Sequence, residues 1–162
     1  MSFYVVIRGP LGVGKSTISE RLAREIGAEY ISIDRILDAQ GLWEAGHLSE
    51  FLRANEFAAE RAESFLEQGR SVIFDGNFYW KSQIEDLLGR LDYPHYVFTL
   101  KAPLRECIRR DSRRATPHGR KAAEEVYAKS TRFDYGIGVD ARAPVETVVL
   151  EIVARLSPTR PG

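Results

Sequence analysis

Residues 3–17 constrain this chain more than any other stretch. They read Phe-Tyr-Val-Val-Ile-Arg-Gly-Pro-Leu-Gly-Val-Gly-Lys-Ser-Thr. An apolar run that reads as a strand gives way to a glycine-rich turn, then to the polar first turn of a helix. Gly9, Gly14, Lys15 and Ser16 fit G-x-x-x-x-G-K-[S/T], the phosphate-binding loop. Glycines let successive backbone N–H groups curl inward onto an anion. The following helix adds its unpaired N–H groups and the positive end of its dipole. Gly9, Gly12, Val13, Gly14, Lys15, Ser16 and Thr17 are therefore the expected nucleotide ligands. Lys15 is expected to reach the β- and γ-phosphates, and the Ser16 hydroxyl to ligate Mg²⁺.

The rest of the chain is read for what this loop requires around it. At 162 residues the chain is expected to form one domain over 1–156, with 157–162 as a flexible tail. Lys+Arg and Asp+Glu balance at 23 each, so no global field recruits nucleic acid or an anionic membrane. No apolar run approaches a membrane span, and no leader pattern precedes the first strand. A single cysteine, Cys107, excludes an intrachain disulfide and a cysteine zinc cluster. These features point to a cytoplasmic protein with no membrane partner. Its oligomeric state is not legible.

Strands and helices alternate along the chain. Ile18, Leu22 and Ile26 recur at helical spacing up to Gly27. A short strand, residues 30–33, ends at Asp34, and a helical segment covers 35–39. Ser49 is the expected N-cap of a long helix buried through Phe51, Ala54, Ala58, Ala62 and Phe65. Residues 71–74 form a third strand ending at Asp75, with helix signals over 80–88 and a fourth strand over 95–100. Pro103 suits a first helical turn, placing Leu104, Cys107 and Ile108 on its inner face. A helix over 121–132, a weak strand over 137–140 and a last helix from Pro144 to Leu156 complete the order. The expected fold is α/β: a three-layer P-loop NTPase sandwich with a five-stranded parallel sheet flanked by helices.

In a parallel sheet the strands' carboxyl ends share one edge, so Asp34 and Asp75 should both arrive beside the loop. Phosphoryl transfer to an alcohol uses one carboxylate on the metal and one on the acceptor hydroxyl. Asp75 is assigned to Mg²⁺ with Ser16, and Asp34 to the acceptor, with Arg35 and Asn77 beside it. The two roles are exchangeable at this stage, and the competing reading makes each acid a helix cap. Trp43, Phe78, Tyr79 and Trp80 are candidates for an acceptor pocket, or else core and rim. Residues 105–121 hold seven cations against Glu106 and Asp111, interrupted by Thr-Pro-His-Gly at 116–119. That pattern suggests an arginine-rich lid at about 109–120, with Arg109 and Arg113 the first choices to neutralise the transferring phosphoryl group. The competing reading is a solvated helix face.

The order Gly9-to-Thr17, Ile-Ser-Ile-Asp34, Val-Ile-Phe-Asp75-Gly-Asn77, Ala102-Pro103-Leu104 and Arg109-Arg110-x-x-Arg113-Arg114 resembles the P-loop kinases. Within them it is similar to the branch of polynucleotide 5′-kinases, zeta-toxin-like kinases and antibiotic phosphotransferases. Shikimate, gluconate and adenylylsulfate kinases are similar at greater distance. The resemblance implies an ATP- and Mg²⁺-dependent phosphotransferase whose Asp34 binds or deprotonates an acceptor hydroxyl. Leu37 stands where polynucleotide kinases often carry an arginine. With the neutral charge, that disfavours a nucleic-acid partner and favours a small hydroxyl-bearing acceptor. A nucleoside or polynucleotide 5′-hydroxyl kinase is the alternative. A nucleotide-dependent switch or binding module without an acceptor is the rival from another class.

Overall fold

The computed structural model describes residues 1–41 and 46–156. Trp43 and the tail 157–162 lie outside the described residues. Every residue of the first strand, β1 (Tyr4–Arg8), is buried, as a strand covered on both faces requires. The order continues with α1 (Lys15–Ile26), β2 (Glu29–Ser32), α2 (Ile33–Ala39), α3 (Leu48–Glu67), β3 (Val72–Gly76) and α4 (Lys81–Arg90). It closes with β4 (His95–Lys101), α5 (Leu104–Ser112), α6 (Arg120–Ser130), β5 (Ile137–Asp140) and α7 (Val145–Leu156). The strands form one sheet in the order β2-β3-β1-β4-β5, and every pairing is parallel.

Alternation along β1 feeds two cores. Tyr4 and Val6 pack with Phe74, Ile33, Leu37, Phe51, Ala58 and Leu87 under α2, α3 and α4. Val5 and Ile7 pack with Ile18, Leu22, Cys107, Val148 and Ile152 under α1, α5 and α7. The three layers and parallel sheet are those expected. From β1 the chain crosses to one side to build β2 and β3, then to the other for β4 and β5. The crevice therefore opens at the carboxyl end of β1. Among the described residues no helix is long and apolar enough to cross a membrane.

Several boundaries differ from the sequence reading, each for a local reason. β2 ends at Ser32, whose hydroxyl accepts the Arg35 N–H at 3.2 Å and caps α2. Asp34 therefore sits in a helical first turn, and its carboxylate is not used as the cap. The cap of α3 lies two residues before the expected one: His47, not Ser49, is the N-cap, its N–H donating to Glu50 Oε1 at 3.4 Å. Leu66 rather than Phe65 completes the buried stripe of α3. Pro103 is the N-cap of α5, just outside the helix. Arg109 belongs to α5, so the irregular part of the expected lid spans only 113–119.

Candidate active site

The loop after β1 is shaped by contact with α5. Gly12 has φ +83°, and a Cβ there would stand 2.3 Å from the Cys107 carbonyl oxygen. No side chain fits at that position. Gly14, at φ +101°, is the N-cap of α1. Val13 is buried and its N–H donates to Pro10 O at 3.2 Å. Lys15 is buried too, yet among the described residues its Nζ finds only Pro10 O at 3.4 Å. Burial lowers the Lys15 pKa, opposed by the negative charges of Asp34 and Asp75. An ammonium held this way lacks the partners that a phosphate would provide. Ser16 and Thr17 are exposed on the first turn of α1, which carries no acidic residue to compete for an anion. A cleft of about 600 Å³ runs from this loop to the 141–145 turn before α7, a size that suits a nucleotide.

Asp75 stands beside Ser32 in the β2–β3 register. Its carboxylate accepts hydrogen bonds from the Tyr30 and Ser32 hydroxyls. Burial raises its pKa against the pull of Tyr30, Lys15 and Arg35. Asp34 is a partly buried neighbour of the same charges. It accepts the Asn77 N–H, while its Oδ1 is buried with no partner among the described residues. Burial pushes its pKa up to about 6, Lys15 opposing and Asp75 reinforcing. Lys15, Asp34 and Asp75 thus form one electrostatic cluster beside the phosphate loop, and of the three Lys15 lines the cleft.

The side away from α5 is built by residues 77–80. The Asn77 amide donates to Tyr79 Oη at 3.0 Å, and its Oδ1 is buried and unpartnered. Phe78 holds φ +48°, a conformation that costs a bulky residue free energy and needs the surroundings to impose it. Arg8 imposes it from below. This fully buried guanidinium donates to Phe78 O at 3.2 Å, Ser130 O at 2.8 Å and Thr99 Oγ1 at 3.2 Å, and lies 4.5 Å from the Phe133 ring centre. Burial lowers its pKa to about 10. Tyr79 and Trp80 pack edge-on against Phe51, with ring centres 5.7 and 5.2 Å away. Arg35 is turned elsewhere: it pairs with Glu20 at 3.0 Å and covers the Tyr30 ring at 5.4 Å.

Four arginines of the basic stretch separate by helix face. Arg109 lines the cleft and is paired with Glu106. Arg110 is the most engaged: it donates to Val13 O at 2.9 Å and Ala141 O at 2.7 Å, tying the phosphate loop to the 141–145 turn. Arg114 lines the cleft, close enough for its charge to depress Lys15. Arg113 is exposed and does not line it. The loop's far end is pinned by buried Asp111, which accepts the N–H groups of His118 and Gly119 at 3.1 and 2.9 Å.

Tyr30, Arg8 and Arg110 escaped the sequence reading. Arg110 was within reach, because it lies three residues beyond inward-facing Cys107. Arg8 announced itself as the one charge in an apolar strand. Nothing in the sequence alone identified Tyr30.

The donor set fits Mg²⁺ arriving with nucleotide. Among the described residues no group of three metal-ligating side chains exists. One hydroxyl and one or two carboxylates suit an ion that brings water and phosphate oxygens of its own.

Comparison with known proteins agrees with this geometry. The family model described as AAA domain matches residues 5–133. A cytidylate kinase of Ignicoccus hospitalis is 31% identical over 128 residues, spanning 77% of this chain and 72% of the relative. A deoxyguanosine kinase of Bacillus subtilis is 23% identical over 163 residues, spanning 84% and 78%. Among solved structures, a sugar kinase from Janibacter sp. HTCC2649 superposes with TM-score 0.78 at 20% identity, covering 95% of this chain and 94% of that one. The APS kinase of Mycobacterium tuberculosis gives 0.74 at 14% identity, covering 97% and 98%. The loop, the sheet order and the matched family together place the chain: it belongs to the P-loop kinase family that the AAA-domain model describes.

Proposed function

We propose that this chain, residues 1–156 acting as one cytoplasmic kinase unit, transfers the γ-phosphate of ATP to a hydroxyl group of a small molecule. The observation that carries the reading is Asp34. Its Oδ1 is buried with no partner among the described residues, and its pKa is raised to about 6 beside Lys15 and Asp75. A carboxylate with an unused acceptor atom and a pKa near the working pH is suited to take the proton of an attacking hydroxyl.

The other roles follow from position. The Lys15 ammonium and the loop N–H groups from Gly9 to Thr17 hold the phosphates. Ser16 and Asp75 would hold Mg²⁺, which when bound offsets phosphate charge. Arg110 shapes the far wall of the cleft, and Arg109 and Arg114 face the phosphates. Arg113 joins them only when the segment between it and His118 folds over the cleft as a lid. Asn77, through its free Oδ1, offers the acceptor a second hydrogen-bond site. Arg35, bound to Glu20 and Tyr30, shapes the acceptor side from outside.

The cytidylate kinase relative favours a second reading, in which a nucleotide phosphate replaces the alcohol as acceptor. A transfer screen with radiolabelled ATP and Mg²⁺ separates the readings. Acceptors are sugars, nucleosides, 5′-hydroxyl oligonucleotides, aminoglycoside- and chloramphenicol-type antibiotics, and CMP. Label on an alcohol, lost about 10²–10⁴-fold in Asp34→Asn and about 10²–10³-fold in Lys15→Ala, supports the proposal. Label on CMP alone replaces the alcohol with a phosphate acceptor. Nucleotide binding with no transfer at all supports a switch without an acceptor.

A further inference from the structure

Tyr30 has no place in the transfer chemistry described above, yet it touches both groups assigned to the metal. Its hydroxyl donates to Asp75 Oδ2, and the Ser16 hydroxyl stands beside it as a donor. We propose that Tyr30 is a positioning residue for the metal site, a hydroxyl relay that orients Ser16 and Asp75 for a divalent cation. The inference rests on the metal assignment made under Proposed function.

The geometry accounts for each atom. A serine hydroxyl ligates a cation through its oxygen lone pairs, so its proton has to point elsewhere. Tyr30 receives that proton and leaves the Ser16 lone pairs facing the cleft, which Ser16 lines. The proton of Tyr30 goes to Asp75 Oδ2 and fixes the carboxylate's rotation. Ser32 supplies a second donor to the same carboxylate. Tyr30 and Ser32 alternate on β2 and so project to one face, where the register sets Ser32 opposite Asp75. β2 is an edge strand, with β3 between it and β1. A tyrosine has the reach to extend from there toward the first turn of α1; a serine or threonine at position 30 would not.

The ring is held so that this reach is reproducible. Arg35 lies over it, 5.4 Å from the ring centre, and is itself anchored to Glu20 of α1 at 3.0 Å. The Arg35 guanidinium, in the first turn of α2, thus braces the relay from behind. Hydrogen-bond partners of metal ligands set ligand orientation in this manner, and their loss costs about 10–100-fold in metal affinity or activity.

The test is Mn²⁺ binding, read by electron paramagnetic resonance, with a saturating non-hydrolysable ATP analogue on the full chain. Tyr30→Phe keeps the ring and the Arg35 contact and removes only the relay. The expected result is about tenfold weaker Mn²⁺ binding to the protein–nucleotide complex, with metal-free nucleotide affinity and the urea midpoint unchanged. Equal Mn²⁺ affinity in the wild type and Tyr30→Phe overturns the proposal while leaving the Ser16–Asp75 site intact. Weaker Mn²⁺ binding accompanied by an equal loss of metal-free nucleotide affinity also overturns it, because Tyr30 would then only support the loop. A wild-type complex that holds Mn²⁺ no more tightly than the nucleotide alone removes the metal assignment itself, and this inference with it. No acceptor is needed, so the outcome does not depend on the transfer screen.

Discussion

Replacing Asp34 with asparagine tests the site through stability rather than turnover. In the folded chain burial raises the Asp34 carboxyl from 3.8 to about 6, after the favourable pull of Lys15 is included. At about 1.4 kcal/mol per pH unit, the ionised group lowers folded-state stability by about 3 kcal/mol. The sign follows from proton counts. Well below pH 3.8 the carboxyl is protonated in both folded and unfolded chains and contributes nothing. Between pH 4 and 6 the folded chain holds the proton more tightly, so stability falls as pH rises. Above pH 6 the full deficit is present. The substituted side chain keeps an acceptor for the Asn77 N–H and carries no charge. Its amide packs with some cost of its own, but that cost does not depend on pH. The quantity to measure is therefore the difference between variant and wild type at pH 8, minus the same difference at pH 4, from urea unfolding. The expected value is about 2.5 kcal/mol in favour of the variant, because the unfolded carboxyl is already more than half ionised at pH 4, and a domain of this size gains about 2–4 °C in Tm per kcal/mol. A difference that does not change between pH 4 and pH 8, or one that grows in favour of the wild type at pH 8, refutes the idea that Asp34 is held against its electrostatic preference.

Three further outcomes follow. The kcat/KM of the wild type should fall tenfold per pH unit below about pH 6 as Asp34 gains its proton; a flat profile down to pH 5 would assign the hydroxyl proton to another group. Gly12→Ala should cost at least about 2 kcal/mol and weaken nucleotide binding, because its methyl meets the Cys107 carbonyl at 2.3 Å and the residue sits at φ +83°; unfolding and fluorescent-nucleotide titration read both. Asp111→Ala strips the acceptor from the His118 and Gly119 N–H groups, costing about 1–3 kcal/mol. Limited proteolysis should then cut within 113–119 at lower protease concentration, and an unaltered cleavage pattern would mean that the loop is held by something else.

The fold was largely legible because its signals are local. An apolar run, the loop glycines and the 3.6-residue spacing of Ile18, Leu22 and Ile26 set β1 and α1 without help from the rest of the chain. The clustering of Lys15, Asp34 and Asp75 was legible for a topological reason, since parallel strands deliver their ends to one edge. What the sequence withheld depends on relations between elements. Whether Tyr30 reaches Asp75 is settled by the β2–β3 register, and nothing in either strand states it. Ser32 and His47 took the cap positions because φ/ψ at the entry to each helix, rather than residue preference alone, decides which side chain is used. Of the first choices in the basic run, Arg109 lines the cleft and Arg113, the C-cap of α5, does not, while Arg110 and Arg114 do; where α5 ends decides this, and the run of arginines does not state it.

Helix α6 is fastened at both ends. Asp111 grips the residues just before it, and Arg8, rooted in the central strand, grips the Ser130 carbonyl at its close. Neither end is free to swing, so any flap over the cleft is confined to the few residues between Arg113, the C-cap of α5, and His118. Four residues fully extended reach roughly 14 Å. A flap that short can carry Arg114 over the phosphate loop, whose cleft it already lines, without moving either helix.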